Sequence, residues 1–279
     1  MSTLTAPAQP TRPASYARPA GAGFFSHTGY LTLRHLRAAV RIPAFLVMNV
    51  VQPLIWLLLF GQLFMSVVDI PGFSGGSSYL EFLTPGIVMM MALFGSAWAG
   101  TSYIEDMDRG VMDRLLTSPT NRGALMTATL VYQAILTVVQ TLIVLGVAWL
   151  CGARFAGGIG GILIMVVAAM LLTASFSALS NAAALLARNQ TVLIGLSQLI
   201  TIPLMFLSSA LMDTSLSADW VADAAAWNPF EWAVVAGREA LQANPDWSSA
   251  WTNLGMLAVF TVVLTWIATR AFRAYQRSA

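Results

Sequence analysis

The residues best placed to do something chemical lie between positions 103 and 122, where the sequence reads YIEDMDRGVMDRLLTSPTNR. Glu105, Asp106, Asp108, Arg109, Asp113 and Arg114 alternate in sign, while Met112, Leu115 and Leu116 form one apolar edge. Ser118-Pro119 stops a helix there, because proline lacks an N–H and pushes the preceding residue out of helical backbone. A short amphipathic helix of this kind is a ridge that a partner's groove can hold. An ordinary polar connector is the plainer reading, and pattern alone leaves both open.

The other polar residues are set inside apolar runs at helical spacing. Gln133, Thr137, Gln140 and Thr141 fall at i, i+4, i+7 and i+8, and Thr173, Ser177, Ser180 and Asn181 repeat the pattern. Asn49, Gln52 and Trp56 form a third set, and Gln198, Thr201 and Ser208 a fourth. Polar side chains avoid lipid, so these stripes face protein or a cavity. They either line a path or bond helix to helix at about 0.6–2 kcal/mol each. Glu231 and Arg238, seven apart, share a face; they form an ion pair within or between copies of the chain, or an exposed pair of little energetic weight. The exposed pair is the expectation.

Catalysis has no residues to use. No Ser/His/Asp set is available, and the two histidines, His27 and His35, make a His-based metal site in the apolar segments untenable. All 14 basic residues are arginine, so a GxxxxGK[ST] phosphate loop cannot be written in this sequence. Any ATP or Mg would have to be held by another chain. The single cysteine, Cys151, excludes an intrachain disulfide and reads as a small buried hydrophobe. A net charge of +2 gives no ground for nucleic-acid binding. No acid falls inside the apolar segments, which argues against a proton-coupled carrier.

The elements that must position these residues follow from composition. Hydrophobic residues make up 57% of the 279 and charged ones 9%, with mean hydropathy +0.72. Soluble domains carry about 25% charged residues, so most of this surface must face lipid. Six runs have the roughly 20 apolar residues that a span requires: about 44–66, 85–104 (opened by Thr84 as N-cap and Pro85), 124–150, 158–186, 192–212 (with a kink expected at Pro203) and 250–272. The fold class is an all-α polytopic membrane protein with six transmembrane helices. Twelve arginines fall on the side of the termini and two, Arg154 and Arg238, on the other, which places both termini in the cytoplasm. Residues 1–26, without an apolar leader run, read as a disordered cytoplasmic tail. His27 to Arg41 reads as an amphipathic helix in the inner interface, with Tyr30, Leu33, Leu36 and Val40 on one face and Arg34, Arg37 and Arg41 beside it; a mere basic stop before the first span is the alternative. Val221 to Gln242, rich in tryptophan, reads as helices dipping into the outer leaflet. Abundant alanine and arginine without lysine suggest a GC-rich bacterial gene.

In these segments the sequence resembles the ABC-2 family of ABC-transporter membrane subunits, especially the daunorubicin-resistance type of drug or lipid exporter. The resemblance rests on Glu105, Gly110, Asp113, Leu115-Leu116, Ser118-Pro119 and Arg122, then on Ser208 to Met212, Asn228-Pro229 and Arg238. It departs from the family at Ser217-Ala218-Asp219-Trp220, where a proline usually precedes the tryptophan. The resemblance implies a multi-pass permease of the bacterial cytoplasmic membrane, active in drug efflux and antibiotic resistance. It would work as a dimer with a second copy or a paralogue, among membrane lipids, on two copies of a separate ABC ATPase that carry the ATP and Mg. Asp106 to Leu116 would be the coupling helix and residues 27–42 a connecting helix; 43–273 would be the transmembrane domain and 274–279 a cytoplasmic tail. A secondary carrier or channel is the alternative, and a membrane enzyme or scaffold the third reading.

Overall fold

A computed structural model describes residues 23–41, 43–69, 78–111, 122–211 and 218–278. All regular structure among them is helical: α1 Phe24–Val40, α2 Pro43–Leu63, a 3-10 turn Met65–Asp69, α3 Tyr79–Ala97, α4 Thr101–Asp108, α5 Arg122–Leu150, α6 Gly158–Ala187, α7 Gln190–Phe206, α8 Asp219–Ala226, α9 Pro229–Leu241 and α10 Trp247–Ser278. Among the described residues four stretches are long and apolar enough to cross a membrane, namely Tyr79–Asp108, Gly123–Leu150, Gly158–Ala187 and Trp247–Ala271. The apolar helices Val47–Leu63 and Gln190–Phe206 are shorter.

α6 is apolar on nearly every face, the mark of a helix surrounded by others. It buries Met165, Leu172 and Phe176 and packs on α3, α5, α9 and α10. One core joins it to Phe82, Leu83 and Met89 of α3 and to Phe230 and Val234 of α9. A second, smaller core gathers Leu31 of α1, Tyr103 of α4, Leu125 of α5, Leu185 of α6, Leu193 of α7 and Ala268 of α10. That second core brings the segments carrying most of the described arginines to one end of the bundle.

Several boundaries differ from the sequence reading. The second apolar run begins at Tyr79, six residues before Pro85. Ser78 is its N-cap, its hydroxyl accepting from Leu80 N at 3.2 Å, and Glu81 in the first turn adds a favourable charge. Thr84 imitates a cap in sequence, but its hydroxyl donates back to the Leu80 carbonyl at 2.6 Å. This earlier start places an acid, Glu81, inside an apolar helix, against expectation; its carboxylate accepts from Arg154 N at 2.8 Å. The same run is broken at Trp98–Gly100. The fifth run ends at Phe206, so Pro203 lies in its last turn and terminates it rather than kinking its middle. The first run ends at Leu63, earlier than its apolar sequence does. Cys151 is exposed after the end of α5, not buried.

The bundle closes through backbone contact at glycines. A Cβ on Gly86 of α3 would collide with the Ala210 carbonyl, and one on Gly161 of α6 with the Ala240 carbonyl. α10 is the longest helix among the described residues and carries exposed Trp247 and Trp251 near its start. Trp266 lies near its far end, with the Arg270 guanidinium 4.3 Å over the ring.

Candidate functional site

At the arginine-rich end, α1 lies along α5. Its buried side is Thr28, Leu31, Thr32 and Ala39; of the expected apolar face Tyr30, Leu33 and Val40 point outward from the protein and Leu36 is half-buried. The Thr32 hydroxyl donates to the Ala128 carbonyl at 3.4 Å, and the His35 ring packs against Tyr132 at 5.5 Å. Arg37 and Arg41 are exposed. Arg34 reaches across to α4 and donates to Asp106 Oδ1 at 2.8 Å. One turn away on α4, Arg109 meets Glu105 at 3.5 Å, both of them exposed. The two segments singled out by sequence, the basic helix and the charged loop, are thus joined by a direct ion pair. α4 ends at Asp108 and Gly110 takes φ +64, so the expected helix Asp106–Leu116 is interrupted at a residue that adopts this backbone without strain. Asp113, Leu115, Leu116 and Pro119 lie outside the described residues, and Arg122 is the first residue of α5.

Burial lowers the His35 pKa from its ordinary 6.5; the neighbouring Arg34 charge lowers it further and Asp106 opposes the shift. The neutral ring is therefore the folded form at pH 7. A lowered folded value means its stabilisation is present above 6.5 and is lost as pH falls through the folded value. The protection of α1 amides, corrected for the intrinsic pH dependence of exchange, is expected to fall between pH 7.5 and 5.5, and His35→Phe to remove most of that fall. An equal fall in the His35→Phe variant would show that another group is responsible.

Beside this junction is a cavity of about 580 Å³ between α1, α2, α3, α4, α5 and α7. Arg34, Glu105, Asp106 and Arg109 are the charged residues of its lining. Of the residues proposed from sequence for a path, Asn49, Gln133, Thr137 and Gln140 line it. The others do not. Gln52, Trp56 and Gln198 are exposed elsewhere. Thr201 is buried and donates to the Ser197 carbonyl. Thr173 shares a hydroxyl–hydroxyl bond of 2.9 Å with Thr137, which is helix-to-helix bonding. Ser177 is buried with its hydroxyl unpartnered among the described residues.

The opposite end is organised by the Asn228-Pro229 pair. Asn228 Oδ1 accepts from Phe230 N at 2.9 Å and caps α9, with Pro229 in the first turn. Its Nδ2 donates to the carbonyls of Leu204 and Leu207, both at 2.7 Å. These are carbonyls left bare by the end of α7, so one side chain starts one helix and finishes another. Glu231 and Arg238 are not the exposed pair expected. Glu231 is 8% exposed and its carboxylate accepts from Ser209 N at 2.6 Å. Arg238 donates to the Ser209 hydroxyl at 2.8 Å and carbonyl at 2.7 Å, and lies 3.8 Å over the Phe82 ring. Both charges grip the non-helical turn after α7.

One arrangement was missed by sequence reasoning. At the Trp98–Gly100 break, the Ser180 hydroxyl of α6 donates to the Ala97 carbonyl at 2.6 Å and accepts from Gly100 N at 3.0 Å. The Ser197 hydroxyl of α7 donates to the same carbonyl at 2.8 Å. An interrupted helix within an apolar bundle needs such partners for its freed backbone groups. The only sequence sign was Gly100 before Thr101, which is weak.

A family model described as ABC-2 type transporter matches residues 26–241. Among curated relatives, a daunorubicin resistance ABC transporter permease protein, DrrB1, of Streptomyces coeruleorubidus is 27% identical over 251 residues, 87% of this chain and 86% of its own. A chain named as a transport permease, ycf38, of Porphyra purpurea is 28% identical over 209 residues, 75% of this chain and 71% of its own. One named for doxorubicin resistance, the ABC transporter permease DrrC of Mycobacterium tuberculosis, is 26% identical over 168 residues, 60% of each chain. With the match spanning α1 through α9 and taking in both the ion-paired junction and the Asn228 turn, the chain belongs to the ABC-2 type transporter family of membrane permeases.

Proposed function

We propose that the chain is the permease subunit of an ATP-driven exporter that moves an amphipathic small molecule or lipid out of the cytoplasm or inner leaflet. It crosses the cytoplasmic membrane of a bacterium six times with both termini inside, α2 and α7 supplying the two shorter spans. It pairs with a second permease and sits on two copies of a separate ATPase, which bind ATP and Mg. The observation that carries this reading is the Arg34–Asp106 bond, which ties the amphipathic α1 to the helix leading into the charged loop. A force applied to that loop by a partner reaches both segments at once. The drug-resistance names of two relatives support an amphipathic cargo.

Leu115→Asp and Leu116→Asp place a charge on the apolar edge of the loop. Each is expected to abolish co-purification with the ATPase and to reduce ATP-dependent transport in vesicles at least tenfold, with the permease still inserted. Transport that persists in membranes stripped of every ATPase partner, driven by an ion gradient alone, would establish the secondary-carrier alternative instead.

A further inference from the structure

We propose that the cavity between α1, α3 and α5 is a cargo-loading site within a single copy of the chain, taking an amphipathic molecule whose polar head is uncharged and rich in hydrogen-bonding groups. This rests on the exporter reading for its purpose, but on the cavity itself for its chemistry.

Its volume of about 580 Å³ is that of a small-molecule site, which typically spans about 300–1,000 Å³ and is mostly apolar with a few placed polar groups. Met91, Leu136 and Ile194 supply apolar wall. Along α5 the lining runs from Thr129 to Gln140, about 16 Å at 1.5 Å per residue, the reach of a medium alkyl chain.

The polar groups divide into used and unused. The hydroxyls of Ser96, Thr129 and Thr137 are bonded within the protein. The carboxamides of Gln133 and Gln140, two turns apart on the same face of α5, make no hydrogen bond to any described residue although both are half-buried. Each offers donors and an acceptor that the protein leaves open to an occupant of the cavity. The Thr129–Asn181 and Thr137–Thr173 bonds fix the antiparallel register of α5 on α6. Gln133 is thereby level with Ser177, whose hydroxyl is also unpartnered and buried. Helix packing accounts for Thr137; it does not account for the two carboxamides that line the cavity.

Charge sets the kind of head. The acidic and basic lining residues are already paired with one another, Arg34 with Asp106 and Arg109 with Glu105. The rest of the lining offers amides, hydroxyls and the neutral His35 ring but no further counter-ion, and an ion taken there without a partner is heavily penalised. A glycoside or polyol head meets no such penalty. Glu105 and Asp106 of this lining belong to α4, so an occupant that reaches them touches the helix that leads into the ATPase-facing loop.

The test uses the full chain in phosphatidylcholine nanodiscs without nucleotide or ATPase. The probe is a decyl glucoside carrying a photoactivatable diazirine in its tail, with crosslinked peptides mapped by mass spectrometry. Labelling is expected in residues 91–99 and 129–140. Unlabelled decyl glucoside should displace it at least fivefold better than decyltrimethylammonium or decyl sulfate. Gln133→Trp, which fills the cavity, should cut labelling at least fivefold, while Leu163→Trp on the exposed face of α6 should not. The double variant Gln133→Leu with Gln140→Leu keeps the volume and should weaken glucoside displacement at least fivefold; it decides alone if Gln133→Trp does not insert. Labelling indifferent to these changes, or displaced as well by a charged amphiphile, overturns the proposal. Because no ATP is present, that outcome leaves the exporter reading standing, and failure of the loop variants to disturb transport leaves the cavity standing.

Discussion

Replacing Glu231 with alanine is expected to destabilise the protein by about 3 kcal/mol, the scale for removing a buried, hydrogen-bonded charge, read as a fall of several degrees in thermal unfolding in detergent. The carboxylate is 8% exposed and accepts from Ser209 N in a turn that is itself not helical. Its loss leaves that N–H bare and removes one of two charges converging on Ser209. Glu231→Gln keeps an acceptor at the same place and should cost about 1 kcal/mol, the range of an ordinary neutral hydrogen bond. Arg238→Lys should fall between them, because an ammonium cannot reproduce two parallel N–H donors or lie flat on Phe82. The order Ala worst, Gln mildest is the diagnostic. Equal, near-zero effects from all three would mean that the turn after α7 is held by Asn228 alone.

The second large effect is expected at the break between α3 and α4. Ser180→Ala removes the donor to the Ala97 carbonyl and the acceptor for Gly100 N together, a loss of about 2 kcal/mol. Ser197→Ala should cost less, about 1 kcal/mol, since the carbonyl keeps Ser180. The double variant should cost more than the sum, because only then is the carbonyl wholly unpaired, and a double-mutant cycle reads that excess directly. Strict additivity would show that water or another group enters the break. The break joins the most buried apolar helix to the loop-bearing one, so Ser180→Ala should also depress transport more than Ser197→Ala.

Much of the molecule was legible in the amino-acid pattern, and each failure has a physical cause. The apolar runs, the amphipathic stretch ending at Arg41 and the paired helices around Asn228 all follow from local periodicity, which needs no knowledge of neighbours. Thr84-Pro85 misled because a Thr-Pro pair inside a helix looks like the beginning of one; what moved the start to Tyr79 was the Ser78 cap. Glu231 misled for a different reason. Seven-residue spacing to Arg238 shows that two charges share a face, but not that a separate turn at Ser209 folds under that face. The polar stripes were visible as stripes. Whether Gln133 meets a cavity and Thr137 meets Thr173 depends on rotation about the helix axis by a fraction of a turn, which only packing sets.

The placement of aromatic residues on α10 has a consequence for the lipid. From Trp251 to Trp266 the helix rises about 22 Å, and from Trp247 to Arg270 about 34 Å. Those two lengths bracket a hydrocarbon core of about 30 Å, with the Trp266–Arg270 stack as one mooring and the Trp247–Trp251 pair as the other. α10 is thereby a gauge of bilayer thickness, and it packs directly on α6 and α9. Acyl chains much longer or shorter than the gauge force it to tilt, and a tilt of α10 is transmitted to the glycine seat at Ala240 and the turn that α9 holds. Lipid chain length is in this sense an input to the permease, and not only its solvent.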